Sequence, residues 1–379
     1  MSTNSSSASA LLSKQGEEIE GLDSSQSEGW GDDYPLDAVF VRTETRTVQE
    51  VVRRIEAGRY QLDPDFQRDF VWAVVKQSRL IESCVMRIPL PVFYVAEAKD
   101  GRIAVVDGLQ RLTTFSNFLA GKFGLILNAG GDQPTHPLDG MKYADLPLLL
   151  QERIQDTQLT LYILDAKAPE RAKLDIFERV NSGVSLTRQQ MRNCLFNGPA
   201  TQWLKKASNS PEFLAASGRS LDSKSMRDRE AINRFCAFYI LGEGKYSGGD
   251  MDAFLARSLE KMQKGGVDLD LLYSRFLHSM KANQYLFHEH AFRKSLARRE
   301  DFAARSVINI ALFDVCSVLF ADIEVSLVKS NAQILRKVVA SLIEDATFNQ
   351  VITYSTNSTR QVKTRFEMAR AAINEALLC

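Results

Sequence analysis

Near residue 200 the spacing of apolar residues changes, and that change constrains the fold more than any other feature of the chain. Before it, short apolar runs of strand length alternate with amphipathic helical stretches. After it, strand signals vanish and the helical period of about 3.6 takes over. In the first part, Thr47-Val48-Gln49-Glu50 is a capping box that opens a helix, TVQEVVRRIEAG, ending at Gly58. RYQL is a short strand, and AVVKQSRLIESCVMR is an amphipathic helix stopped by Pro89 and Pro91. PVFYVAEA and RIAVVDG have strand character, with Asp100-Gly101 turning between them. LQRLTTFSNFLAG is a helix closed by Gly121, LLLQERIQDT a helix and QLTLYILDA a strand. Two helices follow, ERAKLDIFERV and LTRQQMRNCLF, split by Asn181-Ser182-Gly183. The later part predicts helices over 226–241, 250–264, 269–297, 301–325, 330–346 and 358–378. The fold class is therefore α+β: a mixed N-terminal module followed by an all-helical C-terminal module.

Ahead of both, residues 1–34 are rich in Ser, Gly and acid and poor in aliphatics. Such a segment buries too little surface to offset chain entropy, which predicts a disordered tail, an α+β domain over 35–199 and a helical domain over 200–379. The formal net charge is zero, but the balance is uneven. Residues 1–38 hold eight acids and one Lys; the rest carries 46 bases against 39 acids, so the folded part is mildly basic and suited to an anion. Cys84, Cys194, Cys236, Cys316 and Cys379 are far apart and form no CxxC pair, which argues against a zinc site and against a disulfide scaffold. The N-terminus has no apolar h-region. The most apolar stretch, Val307 to Val325, carries Asn309, Asp314 and Asp322, which favours a buried core helix over a membrane span. A reducing, cytoplasmic compartment is expected.

Three polar constellations lie in the first module. DPDFQRDFVW supplies Asp65, Gln67 and Arg68. VVDGLQRLTTF supplies Asp107, Gly108, Gln110 and Arg111 at a strand-to-helix junction. IFERVNSG supplies Glu178, Arg179, Asn181 and Gly183 at a helix end. A helix N-terminus presents unpaired N–H groups and the positive end of the macrodipole. A glycine there admits a close ligand, and Arg111 in the first turn has the fork to bind phosphate oxygens. The same residues also fit a purely structural reading, with Asp107 as N-cap, Gly108 as turn residue and Asn-Ser-Gly as a helix stop.

The series FQRDFVW, IPLPVFYV, VVDGLQRLTTFSNFL and IFERVNSGVSLTRQQMRNCLFNGP resembles the N-terminal domain family of GmrSD-type restriction endonucleases, within the ParB/sulfiredoxin superfamily. SMRDREAINRFCAFYI, YSGGDMDAFL and HEHAFRKSL resemble the helical part of that family. The resemblance implies a ParB-like fold, binding and hydrolysis of an NTP through a D-G-Q-Q-R motif, and coupling to recognition or cleavage of modified DNA in phage defence. That motif falls on Asp107-Gly108-Leu109-Gln110-Arg111, with Leu109 where Gln is usual. The implied roles are phosphate binding by Gly108 and Arg111, Mg²⁺ ligation by Glu178 and Asn181, activation of water by Asp107 and its orientation by Gln110. Gln67 and Arg68 would line the same pocket. The implied partners are DNA and a separate nuclease, and the sequence leaves the oligomeric state open.

The nuclease partner in this family is an HNH module. His136, His278, His288 and His290 carry no H…N…H pattern, and no extension of about 150 residues follows, so a stand-alone member without its own HNH nuclease is expected. Bases crowd 293–299 (Arg293, Lys294, Arg298, Arg299) and 360–370 (Arg360, Lys363, Arg365, Arg370). They suit either a DNA-phosphate track, with Arg298 and Arg299 at its centre, or a solvated helix face.

Overall fold

Thr47 caps the first helix: its Oγ1 accepts the Glu50 N–H at 3.1 Å. Only that half of the expected capping box forms. The Glu50 carboxylate turns instead to Arg54, one helical turn on, at 2.8 Å. The computed structural model describes residues 19–22, 41–62, 72–98, 100–127, 136–180, 187–297 and 304–378. The chain divides into two units, residues 32–198 and residues 1–31 with 199–379.

The first unit contains β1 (Val41–Thr47), α1 (Val48–Glu56), β2 (Tyr60–Gln61), α2 (Val74–Val85), β3 (Phe93–Glu97), β4 (Ile103–Asp107), α3 (Leu109–Leu119), α4 (Leu148–Gln155), β5 (Gln158–Leu164), α5 (Glu170–Val180) and α6 (Arg188–Leu195). The five strands form one sheet in the order β1-β5-β3-β4-β2. The β1–β5 and β3–β4 pairs are antiparallel, and β5–β3 and β4–β2 are parallel. The main core joins Val51, Ile81, Phe93, Val95, Phe115, Phe118, Leu161 and Ile163. A smaller core packs Ala96, Val106 and Leu164 against Leu174, Phe177 and Met191 of α5 and α6.

Strand β1 was not anticipated. Its sequence, VRTETRT, is polar, yet all seven residues pair with β5. It is an edge strand whose charged positions pair with each other: Arg42 donates to Glu44 at 3.1 Å and to Glu97 on β3 at 2.8 Å. Arg46 donates to the Tyr60 hydroxyl at 3.1 Å, so a side chain from one edge strand reaches the other edge strand. Charge along an edge also discourages pairing with another chain.

The second unit contains α7 (Pro199–Ser208), α8 (Pro211–Ser217), α9 (Arg227–Leu241), α10 (Met251–Gln263), α11 (Leu269–Phe287), α12 (Ile310–Leu319), α13 (Val325–Ser330), α14 (Ala332–Glu344), α15 (Ala346–Thr353) and α16 (Thr359–Leu378). Mixed α+β followed by helix alone is thus the architecture, as the periodicity predicts. Two helices are shorter than expected. The stretch 269–297 stops helical at Phe287, where His288 takes φ +50°. Within the stretch 301–325 the described residues 304–309 are not helical and α12 begins at Ile310, because Asn309 stays extended and accepts the Leu312 N–H at 2.9 Å as N-cap. Residues Ile310 to Ser317 are all buried, so α12 is a core helix. No described helix is long and apolar enough to cross a membrane.

Within that apolar helix, Asp314 holds two buried arginines. Its Oδ1 accepts Arg234 Nε at 2.8 Å, and its Oδ2 accepts Arg234 Nη2 at 2.6 Å and Arg365 Nη2 at 2.7 Å. All three side chains are within 1% of full burial. Arg234 also donates to Asn357 Oδ1 at 3.3 Å and Arg365 to the Thr356 carbonyl, so the group ties α9, α12 and α16 to the turn at 356–357.

One part of the tail reading needs correction. Residues Ile19 to Leu22, inside the segment expected to be disordered, are seated on the second unit with Ile19 and Leu22 buried. Average composition hid a four-residue stretch that carries two aliphatic anchors.

Candidate functional site

Strand β4 ends at Asp107, Gly108 turns the chain, and α3 begins at Leu109. Gly108 has φ +99° and no side chain caps α3, nor does any acid lie in its first turn. The first amides of α3 therefore have no side-chain cap, and the one carboxylate at this end, Asp107, is turned to Arg111. Asp107 lies at this end, its side chain 43% exposed. The pattern of strand, Asp-Gly and helix is the one the sequence predicts.

Arg111 is differently used from what its position suggests. Its guanidinium is nearly buried and lies 4.1 Å from the Phe93 ring centroid. It donates to the Pro91 carbonyl, to the Val92 carbonyl at 3.0 Å and to Asp107 Oδ2 at 3.0 Å. Burial holds its pKa below the ordinary arginine range, and the Asp107 carboxylate opposes that effect. Two hydrogen bonds of its fork thus clamp the segment before β3 onto α3, and the third ties α3 to Asp107 at the end of β4. Lysine cannot reproduce a planar fork that serves three acceptors. Arg111→Lys is expected to cost the first unit roughly 1–3 kcal/mol, the penalty of unmet buried acceptors, read as a lower melting transition. An unchanged melt would remove the clamp role.

Gly108 is also explained from inside the fold. A Cβ at this position would fall 2.3 Å from Phe93 Cδ1, so a ring, not an open space, makes the close approach. Leu109, the residue that departs from D-G-Q-Q-R, belongs to the main core. Gln110 keeps a polar claim: its Oε1 is buried and has no hydrogen-bond partner among the described residues. A buried amide oxygen without a donor is costly, and a water or ligand hydroxyl would satisfy it.

Asp107 pairs in register with Tyr94, which pairs with Tyr162 on β5. The two tyrosine rings are 5.3 Å apart between centroids. Sequence reasoning missed this pair and the Phe93 contact. The signal was present in IPLPVFYV, but only the sheet order shows which strands are neighbours.

Gln67, Arg68 and Asn181 lie outside the described residues, and so does the side chain of Glu178, which falls in the last turn of α5. The structure therefore brings together Asp107, Gly108, Gln110 and Arg111 and leaves the proposed metal pair without a described geometry. Among the described residues no three His, Cys, Asp or Glu side chains group to hold a metal. On α6, Gln189 donates to Asn193 at 3.1 Å and accepts from Arg192 at 3.0 Å, all three buried.

Arg298 and Arg299 also lie outside the described residues. Their neighbours are mostly committed elsewhere. Arg293 is buried and donates to Ser217 O at 2.9 Å and Ser220 Oγ at 2.7 Å. Lys294 is paired with Glu20, Arg365 with Asp314 and Arg370 with Glu243. Only Arg360 and Lys363 of the named bases on α16 are exposed. Among the described bases, Arg293, Lys294, Arg365 and Arg370 are engaged within the fold, which leaves Arg360 and Lys363 exposed.

A cavity of about 600 Å³ is lined by Lys294, Ile343, Glu344, Asn349, Gln350 and Tyr354 of the helical unit and by none of the candidate nucleotide residues. Cys84, Cys194, Cys236 and Cys316 are buried thiols; burial pushes Cys84 up to about 11 and Cys316 up to about 12, far from reactivity.

Residues 48–197 match the family model of the GmrSD restriction endonuclease, N-terminal domain. No curated protein and no solved structure matches the chain.

Proposed function

From a chain whose residues 48–197 form a GmrSD restriction endonuclease N-terminal domain, we propose an NTP-binding and NTP-hydrolysing sensor subunit of a DNA-targeting restriction system. The observation that carries the reading is the buried Oε1 of Gln110, without a hydrogen-bond partner among the described residues, beside the glycine-led N-terminus of α3. The α3 amides bind phosphate oxygens, and Gln110 accepts a hydrogen bond from the attacking water. Asp107 takes the proton of that water; Arg111 positions Asp107 and the segment before β3. We assign Gln67, Arg68 and Asn181 to the nucleotide, and Glu178 with Asn181 to Mg²⁺, which favours carboxylate and carbonyl oxygens. DNA, with Arg298 and Arg299 among its contacts, and a separate nuclease are the assigned partners.

The test is phosphate release from nucleoside triphosphates, with and without DNA, beside calorimetric binding. Gln110→Ala and Asp107→Asn are both expected to keep triphosphate affinity within about threefold; Asp107→Asn should lower turnover by about 10²- to 10⁴-fold, the usual range for loss of a proton-transfer group, and Gln110→Ala, which loses only the orientation of the water, should lower it less. Absence of triphosphate binding by the folded wild-type chain overturns the reading. A second reading, a non-enzymatic adaptor, is favoured by one observation: the Arg111 fork already serves backbone carbonyls and Asp107. Tight triphosphate binding with no phosphate release, with or without DNA, selects it.

A further inference from the structure

Ile19–Leu22 lies in a groove of the helical unit, where Glu20 and Gly21 make specific polar contacts and Ile19 and Leu22 are buried. The Glu20 N–H donates to Ile308 O at 2.9 Å, and the Ile310 N–H donates to Glu20 O at 3.0 Å. The pairing makes a parallel bridge between Glu20 and Asn309. Both backbone groups of Glu20 are thus read, in the manner of a strand added to an exposed edge. The Glu20 carboxylate accepts Lys294 Nζ at 2.5 Å, and Lys294 is itself fixed by Thr353 Oγ1 at 2.7 Å. Gly21 has φ +84°, and its carbonyl accepts Thr356 Oγ1 at 3.2 Å. The positive φ favours glycine at this position, and a Cβ there would sit a tight 3.3 Å from Ile310 Cγ2 and from both branches of Thr356. Ile19 and Leu22 are buried on either side.

Two residues of the groove wall are also fixed by contacts that do not involve the occupant. Asn309 is fixed by donating to Ile352 O at 2.8 Å and by capping α12. Thr356 is fixed by Arg365, which donates to its carbonyl and is in turn held by Asp314. The buried Arg–Asp–Arg group therefore supports one wall.

We propose that this groove is a peptide-recognition site for an apolar–Glu–Gly–apolar segment, and that the chain's own Ile19–Leu22 is its resident, exchangeable ligand. Four residues bury far less than the roughly 800 Å² per partner of a stable interface, so occupancy rests on the tether. Intramolecular attachment supplies an effective concentration of about millimolar order, and a second peptide of the same chemistry competes against that value. The proposal is independent of the nucleotide site.

The experiment measures anisotropy of a labelled peptide of residues 15–26 against the full-length chain. The Gly21→Val chain vacates its own groove and is expected to bind the peptide at least tenfold more tightly than the wild-type chain. A Glu20→Lys chain, emptied by charge reversal alone, should behave alike and guards against misfolding of the first. A Glu20→Lys peptide is expected to lose at least tenfold on the Gly21→Val chain and to regain binding when that chain also carries Lys294→Glu. Failure of the wild-type peptide to bind either emptied chain, with melts showing both folded, overturns the proposal. So does equal binding of the wild-type and Glu20→Lys peptides.

Discussion

Replacing Asp314 by alanine is expected to cost the helical unit about 3–5 kcal/mol, the usual penalty for removing one partner of a buried ion pair. Two guanidiniums share this carboxylate, and all three groups are shut off from solvent. Burial already pulls Arg365 down to about 10, with Asp314 opposing burial and the nearby Arg234 adding to it. Without Asp314 two like charges face each other in a site that water does not reach. In a unit of this size 1 kcal/mol moves the melting temperature by roughly 2–4 °C, so a fall of about 6–20 °C is expected by calorimetry. An apolar triple variant, Arg234→Met, Asp314→Leu and Arg365→Met, should lose much less than the single change, because it removes the charges together with their desolvation cost. If Asp314→Ala melts within about 2 °C of wild type, the triad does not hold the unit together.

Asp314 also shows how far the sequence could be read. An acid inside the apolar run 307–325 was visible, and it correctly argued for a buried core helix. Its partners were not visible, because Arg234 lies 80 positions before it and Arg365 lies 51 after it. Arg365 instead read as one of a surface row of bases. Local signals served better: Thr47 caps α1, Asp100-Gly101 turns β3 into β4, and Asp107-Gly108 sits at the strand–helix junction. Strand β1 escaped because its polar alternation matches an edge strand only once β5 is known to lie beside it. In the candidate site the residue types were legible and their duties were not. Which acceptors Arg111 serves depends on where residues 91 and 92 come to lie, and no pattern within the α3 sequence encodes that.

Gly108→Ala is expected to be the most damaging single-atom addition in the α+β unit. A left-handed backbone costs an L residue roughly 1–2 kcal/mol. Overpacking a filled core costs typically a further 1–3 kcal/mol, which gives about 2–5 kcal/mol in all. The overlap is severe: the new methyl would lie 2.3 Å and 2.8 Å from two carbons of the Phe93 ring, which is itself fully buried. The ring has little room to withdraw, since Arg111 lies against it while bonded to Pro91 O, Val92 O and Asp107. Adding Phe93→Leu should recover the packing part, about 1–3 kcal/mol, and leave the backbone part. A single variant that melts like wild type would show that ring and glycine are not in contact. The double variant then separates the two duties of Gly108. If it recovers the packing part of the stability but not triphosphate affinity, a ligand also rests on this glycine. If stability and affinity return together, Gly108 is there for Phe93, and the phosphate is held by the α3 amides that follow it.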